Sequence, residues 1–274
     1  MHFIDAGPRI GRPVVLLHGN PTWGYLWRKI IPPLIAAGHR VVVPDHLGFG
    51  RSDKPSRPEV CTVERHARRL EALLESLQLH NATLVPHDWG GPIGLYWATR
   101  HHERIANMVI LNTFIHRPTG PVSMPLPLRM FRAPWLGEFF VKMLHGLVEI
   151  FLFKAGVSQP LSAVDRAAYL APHPTRASRT AALKFAREFP NGPDGAVAEL
   201  EEKLHTDLAK LSTRPALIIW AKQDVVMGEA ELRLWERDFP RAKVVELPDA
   251  KHFLQEEEPQ RIIDELLEFL SAQG

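Results

Sequence analysis

The 274-residue chain carries a single cysteine, Cys61, so no disulfide can close within it and nothing points to a secreted, disulfide-stapled fold. Long hydrophobic runs are missing too: nothing approaches the roughly 18 consecutive apolar residues of a membrane-spanning helix. The first residues, MHFIDAGPRIGR, lack the apolar stretch between a basic start and a small-residue cleavage site that marks a secretory leader. Charge of one sign is not in excess, because 33 Lys and Arg stand against 31 Asp and Glu and the formal net charge is +2. The basic residues are scattered rather than massed into runs that would follow a phosphate backbone, which argues against a nucleic-acid partner. These absences lead us to expect a cytoplasmic protein with neither membrane nor nucleic acid among its partners, monomeric or homo-oligomeric.

What is present is an ordinary globular composition, 45% hydrophobic, enough for one large core. Short β-branched runs at Val14 to Leu17, Arg40 to Val43, Thr83 to Pro86, Met108 to Leu111, Ala216 to Trp220 and Val244 to Leu247 read as strands. Helical spacing falls between them, at Leu26 to Ala37, Val63 to Leu77, Pro92 to His101, Glu229 to Phe239 and Pro259 to Ala272. This alternation predicts an α/β fold with a mostly parallel central sheet flanked by helices. The long interval before Ala216 breaks the pattern, with many of the 24 prolines and helical stretches at Phe139 to Phe153 and Thr175 to Glu188. We read residues 1–115 and 213–274 as the core and 116–212 as an inserted helical cap over the carboxyl ends of the strands. The cap aromatics Phe131, Trp135, Phe139, Phe140 and Phe151 could equally pack the cap or line a cavity.

Candidate chemistry gathers where strands end. In TLVPHDWGGPIGLYWATR, residues 83–100, a strand runs into Asp88 and then the pair Gly90-Gly91 before a helix. Residues without a β-carbon let the chain fold back sharply and leave the aspartate projecting above the sheet. A helix amino terminus would hold that carboxylate ionised, as a nucleophile requires. Taken alone, Asp88 could also be a simple helix cap. VVLLHGNPTWGYLWR repeats the strand-to-loop arrangement, and its Asn20 can offer a backbone N–H beside that of Trp89 as an oxyanion site. Of the 14 histidines, His252 follows the last strand and precedes the carboxyl-terminal helix, where a general base would stand. Asp224, in the loop after Ala216 to Trp220, is the expected orienting acid, ahead of Asp249, which shares His252's own loop and is worse placed to reach back to the ring. Strand alternation should turn His87 away from Asp88, and His18 is expected to support its loop.

Taken together, HGNPTWGYLWR, VPDHLGFGRSDKP, HDWGGPIGL, LNTFIHRP, YLAPHPTRASR and PDAKHFLQEEEP resemble the haloalkane dehalogenases of the α/β-hydrolase superfamily over nearly the whole chain. The resemblance implies an α/β-hydrolase fold, with Asp88 as nucleophile, His252 as base and Asp224 as acid. It also implies halide held between the Trp89 indole N–H and the Asn20 amide. The partners implied are a small hydrophobic halogenated substrate and a halide ion, with no metal or organic cofactor. Some relatives place the acid at the end of the strand before the cap, where this chain has Asn112. Three departures stand out: Pro86 has no N–H at its strand end, the chain begins at what is usually the second strand, and no cap residue can be assigned as a further halide donor.

Rival readings use the same frame. Epoxide hydrolases of this kind present two cap tyrosines, whereas of Tyr25, Tyr96 and Tyr169 only the last falls in the cap. Some proteins resembling this branch act instead on β-lactones, giving olefins and carbon dioxide. A non-catalytic binding scaffold would be favoured by a broken triad.

Overall fold

The computed structural model describes residues 1–116, 124, 126–190, 192 and 197–273. Among these residues seven strands form one sheet: β1 (Phe3–Ala6), β2 (Pro13–Leu17), β3 (Arg40–Pro44), β4 (Ala82–Asp88), β5 (Ile105–Thr113), β6 (Ala216–Ala221) and β7 (Lys243–Leu247). Their order is β1-β3-β2-β4-β5-β6-β7, with β1 antiparallel to β3 and every other pair parallel. The inner strands read as unbroken apolar runs because both faces are covered. Val15, Leu17, Val42, Leu84, Ile110 and Ile218 pack on one face. Their immediate neighbours Val14, Leu16, Val41, Val85, Val109 and Leu217 pack on the other. The first face is covered by Val63–Ser76 and Gly90–Arg100 and the second by Ile31–Ala36 and Pro259–Ser271.

The six expected strands are all present. β1 is additional: it lies at the sheet edge, only partly buried, and is too short to carry an alternating signal. Pro86 sits within β4 opposite Leu17 of β2, and the β4–β5 register shifts between His87 and Asp88 as the strand ends.

Between β5 and β6 the described residues contain helices and no strand. They include Leu126–Arg132, Glu138–Met143, Leu147–Ala155, Ala163–Leu170, Thr180–Glu188 and Ala198–Leu208. The stretch expected as one helix, Phe139 to Phe153, is two pieces with wide turns, broken near His145 at φ +53°. The Arg117-Pro118 end of the LNTFIHRP motif and parts of the expected cap boundary lie outside the described residues. The inserted helices are tied down by buried charge. Arg28 reaches Asp165 at 2.7 Å and Glu256 at 2.5 Å, and the Tyr169 hydroxyl donates to Glu256 at 2.5 Å. Val63 N–H donates to Glu188 at 2.8 Å. No helix among the described residues is long and apolar enough to cross a membrane.

Candidate active site

β2 and β4 are adjacent and parallel, so their carboxyl ends place Asn20 and Asp88 side by side. Asp88 holds φ +51°, in the left-handed region, at a cost of about 1–2 kcal/mol for a residue with a β-carbon. The surrounding loops accept this bend only because of glycine. A β-carbon on Gly19 would lie 2.0 Å from Asp88 Oδ1, and one on Gly91 would lie 1.9 Å from Thr113 Oγ1. The Thr113 hydroxyl in turn donates to the Asp88 carbonyl at 2.6 Å, pinning the bend to the end of β5.

The carboxylate is 4% exposed and its two oxygens have different surroundings. Oδ1 accepts the Asn20 backbone N–H at 2.7 Å. Oδ2 faces His252 Nε2 at 3.6 Å, and that nitrogen has no hydrogen-bond partner among the described residues. The opposite edge of the same ring donates from Nδ1 to Asp224 Oδ2 at 2.7 Å. Asp224 is held by Val226 N–H on Oδ1 at 2.8 Å and by the Asn112 amide on Oδ2 at 2.9 Å. The structure therefore brings Asp88, His252, Asp224 and Asn20 together as expected from their positions in the chain. Asp249 lies elsewhere, its carbonyl accepting from Ser158.

Electrostatics follow from this burial. Burial alone would push the His252 imidazole down, but the Asp224 carboxylate at Nδ1 and Asp88 near Nε2 outweigh it and hold the group up at about 10. Asp224 is fully enclosed, which would raise its carboxyl; the charge and N–H of His252 and the loop amides reverse that and lower it.

Trp89 is 2% exposed and stands under the inserted helices. Its ring stacks on Phe185 at 5.2 Å and meets Phe114 and Phe189 edge-on at 4.9 and 6.1 Å. The indole N–H makes no hydrogen bond to any described residue. The Asn20 amide donates one hydrogen to the Ala182 carbonyl at 3.2 Å; among the described residues its second hydrogen is unused and its buried Oδ1 has no partner. Ala182 and Phe185 are three residues apart on Thr180–Glu188, hence on one helix face, so the same face covers both Asn20 and Trp89. Of the two expected oxyanion donors, the Asn20 N–H bonds Asp88, whereas the Trp89 backbone N–H makes no such bond.

Sequence reasoning missed several supporting residues. His87 does not reach Asp88, as alternation required, but its Nε2–H donates to the His252 carbonyl at 2.9 Å and its ring lies 4.8 Å from the His252 ring. Burial, together with the charge of His252, holds the His87 imidazole down at about 4, in its neutral form. Asn112, noted only for not being an acid, clamps Asp224 and also bonds the Ala221 backbone through both amide atoms, at 2.8 and 3.1 Å. His18 supports its loop, bonding the Gly19 carbonyl and accepting the His46 N–H at 3.0 Å. Among the cap aromatics, Phe151 approaches His252 at 5.3 Å, Phe131 is buried, and Trp135 and Phe139 are 88% and 51% exposed. The Tyr169 hydroxyl is committed to Glu256.

This geometry accords with the comparisons with known proteins. Residues 12–259 match the alpha/beta hydrolase fold family. The chain is 36% identical to a cis-3-alkyl-4-alkyloxetan-2-one decarboxylase of Shewanella oneidensis, over 99% of this chain and 85% of that protein. It is 35% identical to a haloalkane dehalogenase of Mycobacterium marinum, over 97% of this chain and 87% of that protein. The solved structure of the haloalkane dehalogenase DatA from Agrobacterium tumefaciens C58 superposes with a TM-score of 0.90 at 29% identity, covering 100% of this chain and 93% of that one. The chain belongs to the alpha/beta hydrolase fold family and, within it, is a relative of the haloalkane dehalogenases.

Proposed function

We propose that the chain hydrolyses small hydrophobic haloalkanes to an alcohol, halide and a proton through an ester on Asp88. The observation that carries this reading is the Asp88–His252–Asp224 line, with a donor indole beside it that no described protein group satisfies.

Asp88 Oδ2 attacks the halogen-bearing carbon, and the carbon–halogen bond breaks as the new carbon–oxygen bond forms. Oδ1, already on the Asn20 N–H, becomes the ester carbonyl oxygen. The halide leaves as an anion into an apolar, aromatic surround where an unpaired charge is very costly. The Trp89 indole N–H and the second Asn20 amide hydrogen offset that cost; an indole donates and cannot accept, which suits it to an anion.

His252 Nε2 then takes a proton from water while the hydroxide adds to the ester carbonyl, where the oxyanion is met by the Asn20 N–H. The acyl–oxygen bond breaks, the alcohol keeps one proton of the water, and the other leaves through His252. Esterification removes the charge of Asp88. One of the two anions holding the His252 imidazole up near 10 is then gone, so the ring becomes a competent base at the step that needs one.

The similarity to a protein named for decarboxylating an oxetan-2-one, a β-lactone, supports a second reading on the same residues. That conversion yields an olefin and carbon dioxide and consumes no water. Halide release from a 1-bromoalkane, abolished in Asp88→Ala, is the expected result; release unchanged in that variant would overturn the role of Asp88. Parallel assay of a cis-dialkyl β-lactone with carbon dioxide as the readout decides between the two substrate classes.

A further inference from the structure

Away from the candidate active site, His116, His205 and Asp238 converge from three separate stretches of chain. His116 follows the end of β5, where the inserted segment begins. His205 lies near the end of Ala198–Leu208, the last helix of that segment, and Asp238 ends Glu229–Asp238, which follows β6. His116 Nε2 is 2.7 Å from Asp238 Oδ2, and His205 Nδ1 is 3.9 Å from the same oxygen. The two imidazole centroids are 5.3 Å apart, and one ligand atom from each of the three residues falls within 4.8 Å of the others. The Trp235 ring closes one side, edge-on to His116 at 5.3 Å. His116 and Asp238 are held in place, with side chains 7% and 14% exposed, while the His205 ring is 47% exposed and opens the cluster to solvent. Arg237 Nε donates to the other oxygen of Asp238, Oδ1, at 2.8 Å and leaves Oδ2 facing both histidines.

We propose that His116, His205 and Asp238 form a binding site for a divalent first-row transition-metal ion, Zn²⁺ being the probe of choice. Two imidazole nitrogens and a single carboxylate oxygen suit a borderline ion and not Mg²⁺ or Ca²⁺, which take oxygen ligands in larger number. Bonds of about 2.0–2.2 Å to zinc bring donors to roughly 3.5 Å of one another. His116 Nε2 and Asp238 Oδ2, now 2.7 Å apart in a hydrogen bond, open slightly to admit the ion, and His205, being half exposed and 3.9 Å from the same oxygen, closes in by a small side-chain rotation. The ion replaces the hydrogen bond between His116 and Asp238, and water completes the shell on the open side. Because His116 and His205 stand at the two ends of the inserted segment and Asp238 on a core helix, the ion acts as a staple between them.

The test is calorimetric titration of the untagged full chain with Zn²⁺, with thermal denaturation and the visible spectrum of the Co²⁺ form as further readouts. One equivalent of Zn²⁺ is expected, together with a rise in Tm and a Co²⁺ d–d band. His205→Asn, at an exposed position, keeps the metal-free Tm but weakens Zn²⁺ binding at least about tenfold and removes the Tm rise; Asp238→Asn, whatever its own metal-free Tm, likewise weakens Zn²⁺ binding and removes the rise. Wild-type protein that takes up no Zn²⁺, or binding and a Co²⁺ spectrum unaltered in both variants, overturns the site.

Discussion

The Nε2 of His252, without a hydrogen-bond partner among the described residues, stands 3.6 Å from Oδ2 of Asp88, while its Nδ1 is fixed to Asp224 at 2.7 Å. A ring anchored at one edge and open at the other can serve a step that follows bond formation at Asp88 without taking part in that formation. His252→Gln is therefore expected to release one halide per chain in a burst and then stop. Mass spectrometry of the stalled variant should show the mass of one alkyl group added to the peptide containing Asp88. Steady turnover in that variant, with no added mass, would refute the division of labour.

The pH dependence should separate the two steps in the same way. With Asp224 and Asp88 both anionic, the His252 imidazole is held near 10; esterification neutralises Asp88 and lowers that value. The burst of halide is expected to be flat through neutral pH, and the hydrolytic step to rise with an apparent pKa well below 10. Rapid-mixing measurement of both phases checks this. A burst that itself requires deprotonated His252 would contradict it.

Much of this was legible in the chain because the inner strands are buried on both faces and so appear as unbroken apolar runs. β1 was not, since a four-residue edge strand with partial burial has no pattern to read. Asp88, Asn20, Asp224 and His252 could be singled out because Asp88 closes β4 and the other three lie in loops that follow strands, where topology alone brings them together. His87 and Asn112 were missed for the opposite reason. Their partners, the His252 carbonyl and the Asp224 carboxylate, are 165 and 112 positions away and leave no local signal. The cap aromatics could not be sorted either, because whether Phe151 or Trp135 faces inward depends on how short helices pack and not on their spacing.

Asn112 joins β5, β6 and Asp224 in one network, so removing it should act through Asp224. Asn112→Ala deletes a hydrogen bond to a charged group, worth about 1.5–3 kcal/mol, and leaves the Ala221 backbone unpaired. The expected result is a lower Tm and a hydrolytic step slowed about tenfold or more, with the halide burst retained. Equal loss in both phases would mean that Asn112 positions Asp88 as well.

The protein should lose stability on acidification, and the sign follows from its buried histidines. Burial holds the imidazoles of His18 at about 3 and of His87 and His173 at about 4, against 6.5 in an unfolded chain. The folded state thus binds fewer protons than the unfolded one, and the stability these residues contribute above pH 6.5 is lost as pH falls towards 4. His252 runs the other way: its contribution is complete below 6.5 and is lost as pH rises through about 10. Tm measured across this range should peak between the two limbs, and a Tm that climbs as pH falls from 6.5 towards 4 would contradict the neutral state of the buried rings.

Trp89→Phe separates the proposed halide-donor role of the indole from the packing around it. Phenylalanine keeps an aromatic ring against Phe185 and Phe114, so the fold should survive, but it removes the only hydrogen the indole can donate. Loss of a hydrogen bond to an anion is worth about 1.5–3 kcal/mol, or roughly 10–100-fold in kcat/KM for a bromoalkane. The loss should fall on the alkylation step, because that is where the anion departs, and the burst should slow while deacylation of any ester formed proceeds as before. A β-lactone substrate expels no halide and should be less affected. If the variant instead loses both activities equally while remaining folded, the indole contributes by shaping the cavity and not by donating its hydrogen.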